Sequence, residues 1–289
     1  MSEDRPIRLT DRSIVSVAGP DAEKLLQGLL TNAIENMAEG DARHAALLTP
    51  QGKQLFELFV VRRGDAFLLD TSADKAADLA KRLTFYKLRA RADILDRSGS
   101  LVVAVSEKEP RAPAGSVVYR DPRMPELGYR LVVPAEAATD LGTDAGAYHA
   151  RRIALGVPEA GRDYALGDTF PHEANFDRLA GVDFRKGCFV GQEVVSRMQH
   201  KTIVRKRIVR VTAAAPLASG SEVKAGAAVI GVIGSTAGHE ALALLRLDRA
   251  VEAAAKGEPV SADGQTLSID ADALARYDRD VAARKAAAP

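Results

Sequence analysis

The sequence predicts an α+β protein made of a long mixed region followed by a small C-terminal β-barrel, and three features carry that expectation. Through the first hundred residues, short apolar runs alternate with segments that repeat at helical spacing. Beyond about Ile203, strand-like runs are broken by Gly220, Gly226, Gly231, Gly234 and Gly238, as a small barrel requires. A chain of 289 residues also exceeds one ordinary domain. Residues 1–203 are therefore assigned to two α+β subdomains and 204–289 to a barrel with an Ala-rich tail.

Each element has a local reason. Ile14 to Val17 is a short apolar strand, and Gly19-Pro20-Asp21 turns the chain into a helix carrying Leu25, Leu26, Leu29 and Leu30 and ending near Thr31-Asn32. Ala45 to Leu48 and Leu55 to Val61 form a hairpin around Thr49-Pro50-Gln51-Gly52-Lys53. Arg63-Gly64-Asp65 is the next turn, before a strand from Ala66 to Leu69. Ser72 is placed as the cap of a helix running to about Leu83. Strands follow at Leu101 to Val105, Val117 to Tyr119 and Tyr129 to Val133, then a helix from Ala145 to Leu155. Gly156 to Arg185 has many turn formers and little periodicity, and long irregular segments of this kind tend to be functional. Arg207 to Val211, Ala228 to Ile233 and Ala241 to Leu247 are the barrel strands, with Gly231-Val232-Ile233-Gly234 read as barrel turns. The tail from Asp270 is expected to be a short helix that frays.

Composition excludes several classes of function. Net charge is +1, from 40 basic and 39 acidic residues, so no global field draws the chain to nucleic acid or membrane. No run approaches the roughly 18 apolar residues of a spanning helix. The start, Met1-Ser2-Glu3-Asp4-Arg5-Pro6, is acidic and polar where a secretory leader is basic and then apolar, which points to the cytoplasm. Cys188 is the sole cysteine, so no intramolecular disulfide forms. The histidines at 44, 149, 172, 200 and 239 offer no zinc spacing, and no metal site is expected. This chain alone cannot supply the four thiolates of a typical iron-sulfur cluster.

The segment with the most chemistry is Lys186-Gly187-Cys188-Phe189-Val190-Gly191-Gln192-Glu193. Gly187 and Gly191 permit backbone paths that a Cβ would block, so Cys188 can be presented on a tight turn. A nearby Lys186 favours the thiolate and Glu193, if close, opposes it. The plainer alternative is a buried cysteine acting as a small hydrophobe.

These residues carry a resemblance. P-x-E-x-N at Pro171, Glu173 and Asn175, then G-V-x-F-x-K-G-C-F-V-G-Q-E from Gly181 to Glu193, with Arg197 beyond, resemble the YgfZ family and its mitochondrial iron-sulfur assembly relatives. R-x-x-x-G-V-P-E from Arg152 to Glu159 and R-K-R from Arg205 to Arg207 are similar to that family too. So, more loosely, are G-P-D-A with L-x-G-L-L-T-N from Gly19 to Asn32 and the Pro50 to Lys53 hairpin. The resemblance implies a folate-binding fold like that of the glycine-cleavage T-protein followed by a small barrel, tetrahydrofolate or a derivative as cofactor, and a role in assembling or repairing iron-sulfur enzymes. It implies iron-sulfur assembly factors or client enzymes as partners. Carried over, Cys188 is the reactive residue, with Glu173, Asn175, Lys186, Gln192, Glu193 and Arg197 as the folate-binding set. The motif itself is Lys186, Gly187, Cys188, Phe189, Gly191, Gln192 and Glu193.

Departures from the T-protein pattern argue against aminomethyl transfer. Phe56 and Glu57 stand where paired acids are expected, and Arg152-Ile153-Ala154-Leu155-Gly156 has alanine where R-x-E-x-G has an acid. Glu173 is the remaining candidate for a pterin-facing carboxylate, its alternative being a solvated loop acid. Residues 197–210 hold six Lys or Arg plus His200. That stretch suits the glutamate tail of folate, an acidic partner or RNA, or is a solvated strand face. His172 is read as a proton carrier or an ordinary surface residue. A one-carbon transferase and an RNA-binding module remain as competing functions.

Overall fold

The computed structural model describes residues 5–286; the expectations for Met1 to Asp4 and for the last three residues lie outside them. Its contacts divide the chain into two compact units, 1–148 with 176–192, and 149–175 with 193–289. Covalent order and packing thus differ, since the helix and irregular segment expected upstream of residue 203 pack with the barrel as far as Asn175.

The first unit contains β1 (Ile7–Leu9), β2 (Arg12–Ala18), α1 (Ala22–Leu29), β3 (Ala42–Leu48), β4 (Gln54–Arg63), β5 (Ala66–Ser72), α2 (Ala76–Lys87), β6 (Asp93–Asp96), β7 (Leu101–Ser106), β8 (Val117–Arg120) and β9 (Tyr129–Pro134). A five-stranded antiparallel sheet runs β3-β4-β5-β2-β6 and a four-stranded one β1-β7-β9-β8. Strand alternation gives the larger sheet two different faces. On one, Val15, Val17, Leu47, Leu58, Val60 and Leu69 meet Leu26, Leu79 and Leu83 of the two helices in a single apolar core. On the other, His44 pairs with Phe59, Phe59 with Asp70, and Asp70 with Ile14 in register, so charged side chains share a face with one aromatic ring.

That polar face is buried and ion-paired. Asp70 accepts from Arg12 Nε at 2.7 Å and from Arg130 Nη2 at 2.5 Å, while Asp121 takes Arg123 Nη2 at 2.8 Å. The Arg12, Arg123 and Arg130 guanidinium carbons lie 5.4, 4.8 and 4.0 Å from the Phe59 ring centroid. Tyr148 Oη accepts from Arg123 and Arg130 at 2.9 and 3.3 Å, so the network links both sheets of this unit.

The second unit contains α3 (Gly146–Ala154, entering from the first unit), α4 (Gln192–Lys201), β10 (Lys206–Thr212), β11 (Glu222–Ala225), β12 (Ala228–Ala237), β13 (Glu240–Arg246), α5 (Leu247–Lys256), β14 (Val260–Ala262), β15 (Gln265–Thr266), β16 (Ser268–Ile269) and α6 (Ala271–Ala286). Its seven strands follow the order β15-β14-β11-β12-β13-β10-β16 in a nearly closed barrel. Both edge strands are two residues long, which leaves little open ladder for unwanted pairing.

Three local expectations are corrected. Ser72 makes no capping bond, because a 3₁₀ turn at Ala73–Lys75 intervenes before α2. Gly231 and Gly234 are not turns but lie inside β12; a Cβ on Gly231 would come within 2.3 Å of Leu244 O, and one on Gly234 within 2.6 Å of Asp163 Oδ1. Those glycines permit close backbone approach rather than a change of direction. The tail helix α6 spans 16 residues rather than a single frayed turn or two. Ala273 and Tyr277 bury against the barrel core, and Arg284 donates to the Gln199 and His200 carbonyls at the end of α4.

Candidate functional site

The cysteine loop is held to the first unit by its backbone carbonyls. Thr31 Oγ1 donates to Gly181 O at 2.6 Å, Asn32 Nδ2 to Ala180 O at 2.6 Å, and Asp183 N to Thr31 O at 3.0 Å. His44 Nδ1 lies 3.2 Å from Leu179 O, and its Nε2 lies 2.9 Å from Glu57 Oε1. The ring is flanked by Phe59 and Phe176, with centroids at 5.3 and 4.2 Å. Burial works to raise the Glu57 carboxyl, but the hydrogen bond and charge of His44, helped by Arg123 and Arg12, hold it down at about 2. Gly181 fits because a Cβ there would meet Phe176 Cδ1 at 2.3 Å and His44 Nδ1 at 3.0 Å.

Lys186 and Cys188, two residues apart, have opposite surroundings. Lys186 Nζ is buried and donates to Gln27 O, Leu30 O and Asn32 O at 2.6, 2.6 and 3.0 Å. It therefore covers carbonyls left open at the end of α1, where the helix dipole also favours a cation. Burial lowers its pKa to about 8, against the opposing pull of Asp183 and Glu35. The condition under which Lys186 would favour the thiolate is closeness to the sulfur; its ammonium faces the helix end instead. Cys188 is exposed, so the buried-hydrophobe reading of this thiol does not describe it. Phe189 is buried beneath it, with Lys186 Nζ 5.3 Å from its ring centroid.

The two motif glycines also differ. Gly191 has φ of +81°, and a Cβ on it would lie 2.6 Å from Thr49 O and 3.1 Å from Gly52 Cα, so the loop is laid directly on the β3–β4 hairpin. Gly187 has nothing within 4 Å of its Cβ position and no positive φ; it imposes no steric demand, contrary to the reading of both glycines as essential to a turn. Gln192 opens α4 half-buried.

In the second unit, the P-x-E-x-N segment is bound to β10. Asn175, with φ of +61°, donates from Nδ2 to Ile208 O at 2.8 Å and accepts from Arg207 Nη1 at 3.3 Å. Ile208 N donates to Glu173 O at 2.9 Å, and Arg207 Nη1 to His172 O at 2.6 Å. Asn175 is thus engaged at both ends of its amide, and buried His172 contacts Gln199 Oε1 at 3.0 Å instead of standing on the surface. Glu173 is half-buried; its Oε2 accepts from Phe170 N at 2.8 Å, and the side chain borders an open cleft of about 950 Å³. Glu193 and Arg197 lie exposed on α4. Arg152 of the R-x-x-x-G-V-P-E segment is buried against Asp163 at 2.7 Å and bonded to Ser235, a staple between that segment and β12.

Sequence reasoning missed His44 as the anchor of the cysteine loop and the Arg12-Asp70-Arg130 network below it. A signal was present: Glu57 and Asp70 each interrupt an apolar run within a strand, and a charge at such a position needs a buried partner. Among the described residues, no group of three or more His, Cys, Asp or Glu is placed to hold a metal ion, and no helix is long and apolar enough to cross a membrane.

Comparison with known proteins places this geometry. A solved glycine-cleavage aminomethyltransferase T from Bartonella henselae superposes with a TM-score of 0.75 at 18% identity, covering 93% of this chain and 86% of its own, which shows the fold alone. The model of the CAF17 C-terminal β-barrel domain matches residues 205–276. Human iron-sulfur cluster assembly factor IBA57, mitochondrial, is 33% identical over 259 residues, spanning 80% of this chain and 72% of its own length. Its mouse counterpart is 33% identical over 275 residues, spanning 83% and 76%. A Neurospora crassa IBA57 homolog is 34% identical over 230 residues, 70% of this chain; the chain spans only 52% to 55% of the length of several fungal relatives. These relatives are mitochondrial, which overturns the cytoplasmic location expected from the polar first residues. With identity above 30% over more than two thirds of the human and mouse proteins, the chain belongs to the IBA57 family of iron-sulfur cluster assembly factors.

Proposed function

We propose that this chain is a tetrahydrofolate-binding accessory protein of the YgfZ type that acts on iron-sulfur clusters carried by partner assembly factors or client enzymes, with Cys188 as its reactive group. The carrying observation is an exposed thiol on a loop whose neighbouring carbonyls and lysine are tied to the protein's own interior. Such a loop presents one sulfur at low conformational cost, and one sulfur is at most one of the four thiolates a typical cluster takes. The cluster is therefore cargo, held chiefly by another protein. Cys188→Ala should fold as the parent does yet fail to restore cluster-dependent enzyme activity in a strain lacking this protein. Full restoration would remove the thiol from the account.

A reduced folate makes definite demands on the residues that hold it. A pterin is best held by a carboxylate that accepts two of its N–H groups. Glu57, Asp70 and Asp121 do not suit this, since each is buried and already engaged, Glu57 with His44 and the two aspartates with arginines. Glu173 suits it, being half-buried, oriented by the Phe170 amide and open to a cleft. When bound, a reduced folate supplies one-carbon or electron-donating chemistry; the chain's part is to hold and orient it. Calorimetric titration with tetrahydrofolate should show binding that Glu173→Gln weakens about tenfold. Absence of binding by the parent protein would end the folate reading while leaving the role of Cys188 standing. The transferase alternative is weakened by Glu57, whose carboxylate is engaged with His44 in the interior.

A further inference from the structure

The cleft that Glu173 borders carries a local excess of positive charge. Lys201, Arg205, Lys206 and Arg284 all line it, and none of the four makes an ion pair within 4.0 Å among the described residues. Glu173 is the one acid in its lining. With a chain-wide net charge of only +1, this is a local concentration rather than part of a general basic surface.

Two further observations describe what fits there. Between α4 and β10 the chain passes through Ile203 and Val204, which line the cleft half-buried, and the backbone of these two residues takes part in none of the hydrogen bonds among the described residues. Backbone donors and acceptors in such a position normally find partners, and a strand laid alongside supplies them. The cleft also has apolar surface from Phe170 and Met198 beside Ile203 and Val204, suited to alternate side chains of such a strand. One wall is preset, because Arg284 donates to the Gln199 and His200 carbonyls and so fixes α6 against the end of α4.

We propose that this cleft docks an extended acidic segment of a partner protein, an occupant that competes with the folate proposed to sit at Glu173. Its carboxylates meet the four cations and its backbone pairs with Ile203 and Val204. An RNA strand fits less well, since the lining combines a carboxylate and aliphatic side chains where successive phosphates and bases would lie.

The test uses the whole chain and a fluorescein-labelled decapeptide of alternating Glu and Val, followed by anisotropy at about 50 mM salt. Controls are the same peptide with Gln for Glu, a version N-methylated at alternate residues, and a ten-nucleotide RNA. The charge-reversal pair Lys201→Glu with Arg205→Glu removes two exposed cations without a bonded partner, and its melting temperature is recorded to confirm folding. Binding of the acidic peptide is expected to weaken about tenfold in the double variant and again at high salt. The Gln peptide is expected to bind weakly and the N-methylated one several-fold worse than the parent peptide. No binding at low salt, equal binding by the double variant, or RNA bound in preference to peptide would overturn the proposal. Loss of tetrahydrofolate affinity in the same variant would also overturn it, because the cations would then serve the folate tail.

Discussion

On the second face of the five-stranded sheet, Arg12, Arg123 and Arg130 are buried with Asp70, Asp121 and Glu57, and each charge is met by an opposite one. Around the barrel unit's cleft, four cations share the lining with a single acid. The two regions have similar side chains and opposite physics. In the first, desolvation makes every member depend on the others, so the network is a structural unit. In the second, solvent screens the exposed charges, and no buried network depends on them. Charge in a sequence says little about function until burial and pairing are known.

The largest expected contrast tests that distinction through stability. Asp70→Asn removes the buried carboxylate to which both Arg12 and Arg130 donate, and a loss of about 3–5 kcal/mol is expected in urea unfolding. Lys201→Glu in the cleft should change stability by less than about 0.5 kcal/mol. Equal effects at the two positions would break the comparison.

A somewhat smaller effect is expected from acid. Because the folded-state pKa of Glu57 is depressed to about 2 from 4.5, its contribution is fully present above about pH 4.5 and is lost as pH falls toward 2. The contribution is on the order of 3 kcal/mol, and Glu57→Gln should flatten this part of the acid-denaturation curve. A variant with the parent's acid profile would show that the His44 pair is not what holds Glu57 ionised.

The smallest contrast lies within the cysteine loop. Gly191→Ala places a methyl against Thr49 O at a positive φ and should cost about 1–3 kcal/mol, whereas Gly187→Ala should be nearly neutral in thermal unfolding. Comparable losses would mean that Gly187 carries a steric constraint after all.

Much of the architecture was legible locally. The β3–β4 hairpin was visible because apolar runs flank a Pro-Gly turn, and α1 because its leucines repeat at helical spacing. The barrel was visible as strands between glycines, but the role of Gly231 was not. A turn glycine and a close-approach glycine look alike until the neighbouring strand with Leu244 is in place. The cysteine motif drew attention through residue types, and the resemblance placed both Lys186 and Asn175 in a folate-binding set. In the fold, both use their polar atoms on the backbone of their own unit.

By itself, then, the amino-acid order determined the α+β class, the order of most elements, the single thiol and its motif, and membership in a recognisable family. These follow from side-chain periodicity, turn chemistry and local spacing, which depend only on neighbours along the chain. Tertiary structure alone decided that Cys188 is exposed while Lys186 is buried, and that His44 and Glu57 pair beneath the loop. It also decided that residues 149–175 pack with the barrel. Burial and charge pairing join residues far apart in sequence, and such contacts exist only once the chain has folded.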